Sequence, residues 1–233
     1  MLKVDNLSTG YGKKQILFDV SFEVKQGEII LLAGSNGSGK STLLKTIYGI
    51  LPPWGNGKIW LEDENITGKP TASLLNKGLL YIPQKNNLFE DLTVKENLEM
   101  AGLALAPKLL KPRIENVLTQ FSMLVPHLQR IPMKLSGGER QLLTLAMATL
   151  HQPKLLLIDE PLNGLSPQNI AFVIGSLQEI NKKGDITLMI IEHRVKECIT
   201  IATKLIGLKL GRVFTEIEIN QPFDIHKLHP IFV

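Results

Sequence analysis

Short apolar runs recur along the chain, and each is closed by glycine or by polar residues. A run of this kind predicts a buried strand, and an uninterrupted run covered on both faces is typical of a parallel sheet. The runs lie at residues 29–33, 79–82, 155–158 and 186–191. Partial alternation at residues 2–24 predicts two further strands around a glycine-rich turn, and residues 204–210 and 213–219 predict an antiparallel pair.

Helical spacing replaces the strand signals over residues 85–150. Apolar residues recur there at helical intervals, and prolines punctuate them. We therefore predict a helical insertion at these positions, within an α/β core formed by residues 1–84 and 151–233. A further helix is predicted over residues 170–180, and the chain is predicted to end in an irregular tail.

Length and composition limit the class of protein. The 233 residues, 44% of them hydrophobic, suffice for one large or two modest compact units. Polar residues interrupt every apolar stretch before the ~20 residues of a membrane-spanning helix, and the polar N-terminus argues against a signal peptide. Cys198 is a single cysteine without a disulfide partner, which agrees with the cytosol. The net charge of +4 comes from scattered basic residues, so we expect no nucleic-acid partner.

The segment after the first buried run carries the most specific motif. It matches the phosphate-binding pattern G-x-x-x-x-G-K-[ST] between a predicted strand and a predicted helix. Inward-pointing amide N–H groups and the helix N-terminus would together form a cradle for phosphate oxygens. Lys40 is predicted to reach the β- and γ-phosphates, and the Ser41 hydroxyl is predicted to bind Mg²⁺. The predicted nucleotide-binding residues of this loop are Gly34, Ser35, Asn36, Gly37, Ser38, Gly39, Lys40, Ser41 and Thr42.

Polar groups also follow two other buried runs. Asp159 and Glu160 end the run at 155–158, and ligand sites of α/β proteins lie at the carboxyl ends of such strands. Asp159 suits a water-mediated contact to Mg²⁺, and Glu160 suits a carboxylate that polarises the water attacking the γ-phosphate. His193 follows the run at 186–191 and could reach the γ-phosphate region, although a lone histidine is more often a bystander.

Two features carry weaker signals on their own. Tyr11 is predicted in a glycine-flanked turn, where it is available to stack on a flat ligand such as adenine, or lies over the domain surface. The sequence Ser136-Gly137-Gly138 opens a predicted helix and suits close approach to an anion, but it could also be a capped turn.

Taken together, the motifs resemble the nucleotide-binding domain of ATP-binding cassette (ABC) transporters over nearly the whole chain. The resemblance implies a single domain over residues 1–233, with a P-loop NTPase (RecA-like) core, a mainly parallel sheet, an N-terminal antiparallel β subdomain and an inserted α-helical subdomain. Residues 34–42 match the Walker A loop, and Asp159 and Glu160 match the Walker B pair. Tyr11 matches the adenine-stacking aromatic residue.

The resemblance also implies roles for residues outside these loops. Gln84 matches the Q-loop glutamine that links Mg²⁺ and the attacking water to the membrane partner, and His193 matches the switch histidine. Residues 135–139 resemble the family signature. The implied catalytic residues are Glu160, His193, Lys40 and Gln84, the implied Mg²⁺ ligands are Ser41, Gln84 and Asp159, and the signature contacts to ATP are Ser136, Gly137, Gly138 and Glu139.

The implied cofactors are ATP and Mg²⁺, and the implied partners are other subunits of a transporter. They are a second ATPase subunit, either a second copy or a paralogue, transmembrane permease subunits, and indirectly an extracytoplasmic solute-binding protein. We therefore expect a cytoplasmic protein held at the inner face of the cell membrane by its permease.

The sequence departs from the family pattern at three places. Glu139 stands where many members have glutamine, an alternative that preserves hydrogen bonding from the signature helix. Leu165-Ser166 occupies the D-loop, where aspartate is more usual, so coupling across the dimer interface is expected to differ. Met147 replaces an arginine that is frequent in the signature helix, and we draw no consequence from it.

Within the family, the sequence looks most like ATPase subunits of branched-chain amino-acid importers. The resemblance lies in residues 81–84, 92–98, 160–161 and 164–167, and the short C-terminus agrees with it. Lipopolysaccharide-export ATPases and urea-type importers are similar enough to compete. A soluble non-transport ABC ATPase would be favoured by tandem cassettes or coiled-coil insertions, and a P-loop kinase or GTPase would leave the signature and His193 without a role.

Overall fold

In the computed structural model, residues 1–85, 87–220 and 223 are described, and they form two sheets and a set of helices. The strands are β1 (Leu2–Tyr11), β2 (Lys14–Val24), β3 (Ile29–Ala33), β4 (Lys58–Leu61), β5 (Glu64–Asn65), β6 (Leu79–Ile82), β7 (Leu155–Asp159), β8 (Thr187–Ile191), β9 (Lys204–Lys209) and β10 (Arg212–Glu218). The α-helices are α1 (Lys40–Ile47), α2 (Thr71–Asn76), α3 (Val94–Ala101), α4 (Pro107–Gln120), α5 (Gly137–Thr149), α6 (Pro167–Gly184) and α7 (Val195–Cys198).

The first sheet is antiparallel and contains four strands in the order β2-β1-β4-β5. Leu2 at the start of β1 pairs with Val24 on one side and with Leu61 on the other. In β2 the buried positions include Leu17, Val20 and Phe22, so one face of this sheet is apolar. This face packs on the core, as expected for an antiparallel sheet with one solvated side.

The second sheet has six strands in the order β10-β9-β3-β8-β7-β6, and only β10 pairs antiparallel. Strands β3, β8, β7 and β6 run in one direction, so their carboxyl ends lie at the same edge of the sheet. The phosphate-binding motif follows β3, Gln84 follows β6, Glu160 follows β7 and His193 follows β8. The topology therefore gathers the predicted chemistry at one edge.

Two hydrophobic clusters cover opposite faces of this sheet, because successive strand residues point to opposite sides. Ile29 and Leu31 of β3 belong to the cluster that contains α5, α6 and Val117 of α4. Ile30 and Leu32 belong to the cluster that contains α1 and the antiparallel sheet. Burial on both faces explains why the central strands carry uninterrupted apolar runs.

Within the described residues 87–150, the helices are α3, α4 and α5, with short 3-10 turns at Gly102–Ala104, Ser122–His127 and Pro132–Lys134. These helices do not enclose a separate core, since their buried residues join the cluster on one face of the six-stranded sheet. The division into an insertion and a core at these residues stays a prediction.

The predicted fold class is confirmed, with a mainly parallel sheet, an antiparallel β part and a helical part. Helix α6 is longer than predicted at both ends. Ser166 caps its N-terminus by accepting a hydrogen bond from the Asn169 amide at 3.4 Å, and Asp185, with φ 50°, ends it in the left-handed conformation. The predicted tail lies almost wholly outside the described residues. Among the residues that are described, no helix is long and apolar enough to span a bilayer.

Candidate active site

The loop between β3 and α1 forms a cradle whose glycines are required by its geometry. Gly39 has φ +102°, and a Cβ atom at this position would lie 2.6 Å from Cδ2 of Leu17 on β2. Gly34 is equally constrained, since a Cβ atom there would lie 2.2 Å from the carbonyl oxygen of Leu208. The adjacent Gly211 amide donates to the Ser38 carbonyl at 3.1 Å, which ties the β9–β10 turn to the loop. The loop is therefore held from two sides while α1 directs its N-terminus into it.

Lys40, the first residue of α1, lies inside this cradle. Its side chain is buried, and Nζ donates to the carbonyl oxygens of Gly34 at 2.9 Å and Ser35 at 3.1 Å. Burial lowers the pKa of the Lys40 amine, while the negative charges of Glu160 and Asp159 act in the opposite direction. The amine is thus already directed into the loop, where it can meet a phosphate oxygen.

Asp159 and Ser41 bring two oxygen donors together beside the cradle. The Ser41 hydroxyl donates to Asp159 Oδ1 at 3.2 Å, and the Tyr81 hydroxyl donates to Oδ2 at 3.2 Å. Burial raises the pKa of the Asp159 carboxyl, so a nearby cation would stabilise its charged form. Within the described ranges, no cluster of three His, Cys, Asp or Glu side chains could hold a metal. The donors present fit Mg²⁺ that takes its remaining ligands from phosphate and water.

Glu160 is the point at which the other predicted residues meet. The Gln84 amide donates to Glu160 Oε2, and His193 Nε2 contacts Glu160 Oε1 at 3.1 Å. Asn163, three residues further along the chain, donates from Nδ2 to Oε2 at 3.2 Å. The Glu160 backbone has φ +51°, a left-handed conformation that is uncommon for glutamate, and its N–H donates to the Ile191 carbonyl at 2.9 Å. The carboxylate is therefore held in one place by groups from three strand ends.

The phosphate loop and this carboxylate line one cavity of about 220 Å³. The lining residues are Ile16, Asn36, Gly37, Gly39, Lys40, Ser41, Thr42, Glu160 and His193. A larger cavity of about 440 Å³ lies between α4 and the end of α6, but none of the predicted site residues line it. We assign the chemistry to the smaller cavity because the basic, hydroxyl and carboxylate groups converge there.

The signature residues lie elsewhere on the molecule and do not line the smaller cavity. Ser136 caps α5 by accepting a hydrogen bond from the Glu139 amide at 3.3 Å, and Glu139 Oε2 accepts one from the Ser136 amide at 2.7 Å. The backbone N–H of Ser136 lowers the pKa of the Glu139 carboxyl. His127 Nε2 contacts the other carboxylate oxygen at 3.0 Å. The carboxylate of Glu139 therefore caps its own helix, whatever else the signature binds.

Tyr11 is the last residue of β1, and so it lies at the end of a strand and not within the predicted turn. Its side chain is exposed, and it does not line the cavity. The following strand brings the hairpin close to the phosphate loop, because Ile16 lines the cavity and packs at Gly39. Tyr11 thus lies on a hairpin beside the cradle, where a base attached to bound phosphates could reach it.

Replacing Tyr11 by alanine is expected to weaken ATP binding by about 1–3 kcal/mol, the value of a base–aromatic stack, whereas tryptophan should preserve it. Calorimetric titration with ATP measures the effect. Phe214→Ala is a matched control, since Phe214 is also an exposed aromatic residue on a strand. If Tyr11→Ala binds ATP as tightly as the wild type, Tyr11 does not stack on the base and lies only over the domain surface.

Two site residues were missed by the sequence interpretation. Tyr81 was assigned only to a strand, yet its hydroxyl bonds to Asp159. Glu192 was not singled out, yet it is buried and accepts a hydrogen bond from the Leu162 amide in the loop after Glu160. A polar atom in an apolar run is the signal that could have identified Tyr81, because a buried hydroxyl needs a partner.

Known proteins are similar to this chain in both sequence and architecture. The ABC transporter family matches residues 17–163. The high-affinity branched-chain amino acid transport ATP-binding protein BraG of Pseudomonas aeruginosa is 37% identical over 213 residues, which are 91% of each chain. The probable branched-chain amino acid transport ATP-binding protein LivF of Archaeoglobus fulgidus is 36% identical over 231 residues, which are 99% of this chain and 98% of the relative.

Solved structures agree with this match. A crystal structure of a nucleotide-free ATP-binding cassette from an ABC transporter has a TM-score of 0.86 at 27% identity and covers 95% of this chain and 92% of its own. A bacterial ABC transporter cassette solved as a dimer has a TM-score of 0.79 at 25% identity and covers 94% of this chain and 99% of its own. With the phosphate loop and the carboxylate centre both in place, the chain belongs to the ABC transporter family and is an ATP-hydrolysing cassette.

Proposed function

We propose that this ATPase powers the import of branched-chain or other hydrophobic amino acids. The supporting observation is that two relatives with branched-chain amino acid transport names are 37% and 36% identical over nearly their whole lengths. The glutamate/aspartate import protein GltL of Escherichia coli is 32% identical over a comparable share. The sulfate/thiosulfate import protein CysA of Mesostigma viride is 34% identical, and there the match covers only 62% of the relative.

We assign the chemical steps to the residues gathered around Glu160. Glu160 takes the proton of the water that attacks the γ-phosphate, and Gln84 and His193 hold its carboxylate in place. Lys40 binds the β- and γ-phosphates and stabilises the charge that develops between them. Ser41 and Asp159, together with Gln84, would hold Mg²⁺, which when bound neutralises phosphate charge.

The active unit that we propose contains two copies of the cassette, or one copy and a paralogue. The signature residues Ser136, Gly137, Gly138 and Glu139 are assigned to ATP, but they do not line the cavity of their own chain. A second subunit could present them to that cavity. The assembly would lie on the inner face of the membrane, bound to permease subunits and served indirectly by a solute-binding protein.

Co-purification and uptake together test the proposed transport function. The tagged chain is isolated from membranes of its source cell, the bound permease is identified, and uptake of labelled leucine is compared with uptake of urea in cells with and without the chain. Loss of leucine uptake alone supports the proposal. Loss of urea uptake, association with a lipopolysaccharide-export permease, or recovery of the chain only with soluble assemblies contradicts it.

We also propose that the segment after Gln84 docks on the permease. Its two apolar residues, Leu88 and Phe89, differ in their exposure. Leu88 is half-buried and packs against the hydrophobic core. Phe89 is 47% exposed. The Asn97 side chain fixes its backbone, with Oδ1 accepting from the Phe89 amide at 2.9 Å and Nδ2 donating to its carbonyl at 3.0 Å. Of these two residues, only Phe89 is exposed and held in place, as an interface anchor would be.

Replacing Phe89 by serine is expected to leave the ATPase activity of the isolated subunit unchanged, because the residues around Glu160 are untouched. Assembly with the permease should weaken by about 2 kcal/mol or more, as for an aromatic anchor. Co-purification yield and permease-stimulated ATPase activity measure this loss. Phe172→Ser, on the exposed side of α6, is the control. Normal assembly of the Phe89 variant would locate the docking surface elsewhere.

A further inference from the structure

A buried carboxylate lies directly behind the carboxylate centre. Glu192 is the first residue after β8, and only 3% of it is exposed. Its Oε1 atom accepts a hydrogen bond from the Leu162 amide at 2.6 Å. Its Oε2 atom accepts bonds from the amides of His193 at 3.1 Å and Arg194 at 3.4 Å. One side chain thus joins two separate backbone segments.

Burial of this charge is not explained by an ion pair. In the part of the chain that the structure describes, no ion pair includes Glu192, and its acceptor bonds come from backbone N–H groups. Burial raises the pKa of its carboxyl, and the amides of Leu162, Arg194 and His193 act in the opposite direction. Burying a carboxylate is unfavourable unless its hydrogen bonds compensate. A side chain that merely ended β8 could be apolar and avoid this cost.

Both segments that Glu192 joins also contact the Glu160 carboxylate. Leu162 is two residues after Glu160, and the next residue, Asn163, donates to the Glu160 carboxylate at 3.2 Å. On the other side, the His193 ring contacts the same carboxylate at 3.1 Å. Glu192 therefore closes a ring of contacts that runs from Glu160 through Leu162 and back through His193.

We propose that Glu192 is a positioning residue for ATP hydrolysis, which fixes His193 and the loop at residues 161–163 relative to Glu160. The inference rests on the roles proposed above for Glu160 and His193. Glu192 does not line the cavity, so it acts on the reaction only through these neighbours. A displacement of the base by about 1 Å can cost on the order of 100-fold in rate, which is the scale of the expected effect.

The Glu192→Gln variant tests the proposal with little change in shape. An amide offers one acceptor oxygen, and its NH₂ group faces a backbone donor, so one of the two segments loses its bond. We expect kcat for ATP hydrolysis to fall about 10–100-fold, while KM for ATP stays within about twofold because Lys40 and Ser41 lie outside the ring. Asp185→Asn is the control, since Asp185 precedes β8 and accepts a bond from Gln26 at 2.6 Å.

A double-mutant cycle with His193→Ala separates positioning from a general loss of stability. Because Glu192 acts partly through His193 and partly through the loop at residues 161–163, the double variant should lose less activity than the two single losses added together. Additive losses, or a Glu192→Gln variant with wild-type kcat, would overturn the proposal. Should Glu192→Gln not fold, Glu192→Asp keeps the charge, reaches only one segment and is judged by the same criteria.

Glu160→Gln, measured in parallel, distinguishes this inference from the proposal on which it rests. If Glu160→Gln hydrolyses ATP at the wild-type rate, the assignment of the base is wrong. If Glu160→Gln is inactive while Glu192→Gln keeps its full kcat, only the positioning role is wrong.

Discussion

The Glu160→Gln variant is expected to bind ATP with wild-type affinity and to hydrolyse it about 10²–10⁴-fold more slowly, because a general base contributes a factor of this size. The substitution keeps the shape of the side chain and its contact with His193, but the amide cannot take a proton from water. Lys40 and Ser41 are unchanged, so the groups that bind phosphate remain. We therefore expect an ATP-bound dimer to accumulate.

Phosphate release and size-exclusion chromatography in Mg-ATP measure the two parts of this prediction. Glu62→Gln is a control, since Glu62 is an exposed carboxylate paired with Lys154 at 2.9 Å. The control should match the wild type in both measurements. A Glu160→Gln protein that stays monomeric and keeps wild-type turnover would show that another group is the base.

The position of the site was predictable because it follows from strand direction. Parallel strands bring their carboxyl ends to one edge, so the residues after β3, β7 and β8 had to be neighbours once these strands were recognised. Uninterrupted apolar runs identify such strands without reference to a structure. The contact between His193 and Glu160 agrees with this prediction. The catalytic roles of both residues stay a prediction until activity is measured.

Other features depend on packing, which the sequence pattern does not report. Leu88 and Phe89 are adjacent and similar in hydrophobicity, yet one packs on the core and the other faces outward. The helices of residues 85–150 show helical periodicity, but periodicity does not tell which surface their apolar faces cover. Glu192 follows β8 and so lies near the predicted site, but the pattern does not indicate that it is buried, because a glutamate after a strand is usually solvated.

The Lys40→Met variant is expected to show the second large effect. Unlike Glu160→Gln, it should weaken ATP binding as well as ATP hydrolysis. Methionine is unbranched and can fill the buried space of the lysine stem, but it carries no charge. Loss of a charge-assisted hydrogen bond of about 1.5–3 kcal/mol should weaken ATP binding about 10–150-fold. Loss of a donor to the transferring phosphate should lower kcat about 10²–10³-fold as well.

Calorimetric affinity for ATP and steady-state kinetics separate the two losses, and thermal unfolding reports whether the loop survives. Lys58→Met, at an exposed position of β4, is the control. The Lys40 amine also bonds to the carbonyls of Gly34 and Ser35, so a purely structural role would lower stability and leave ATP affinity near the wild-type value. If Lys40→Met keeps wild-type affinity and turnover, the amine serves only to close the loop; if both fall while the melting temperature is unchanged, it binds the phosphates.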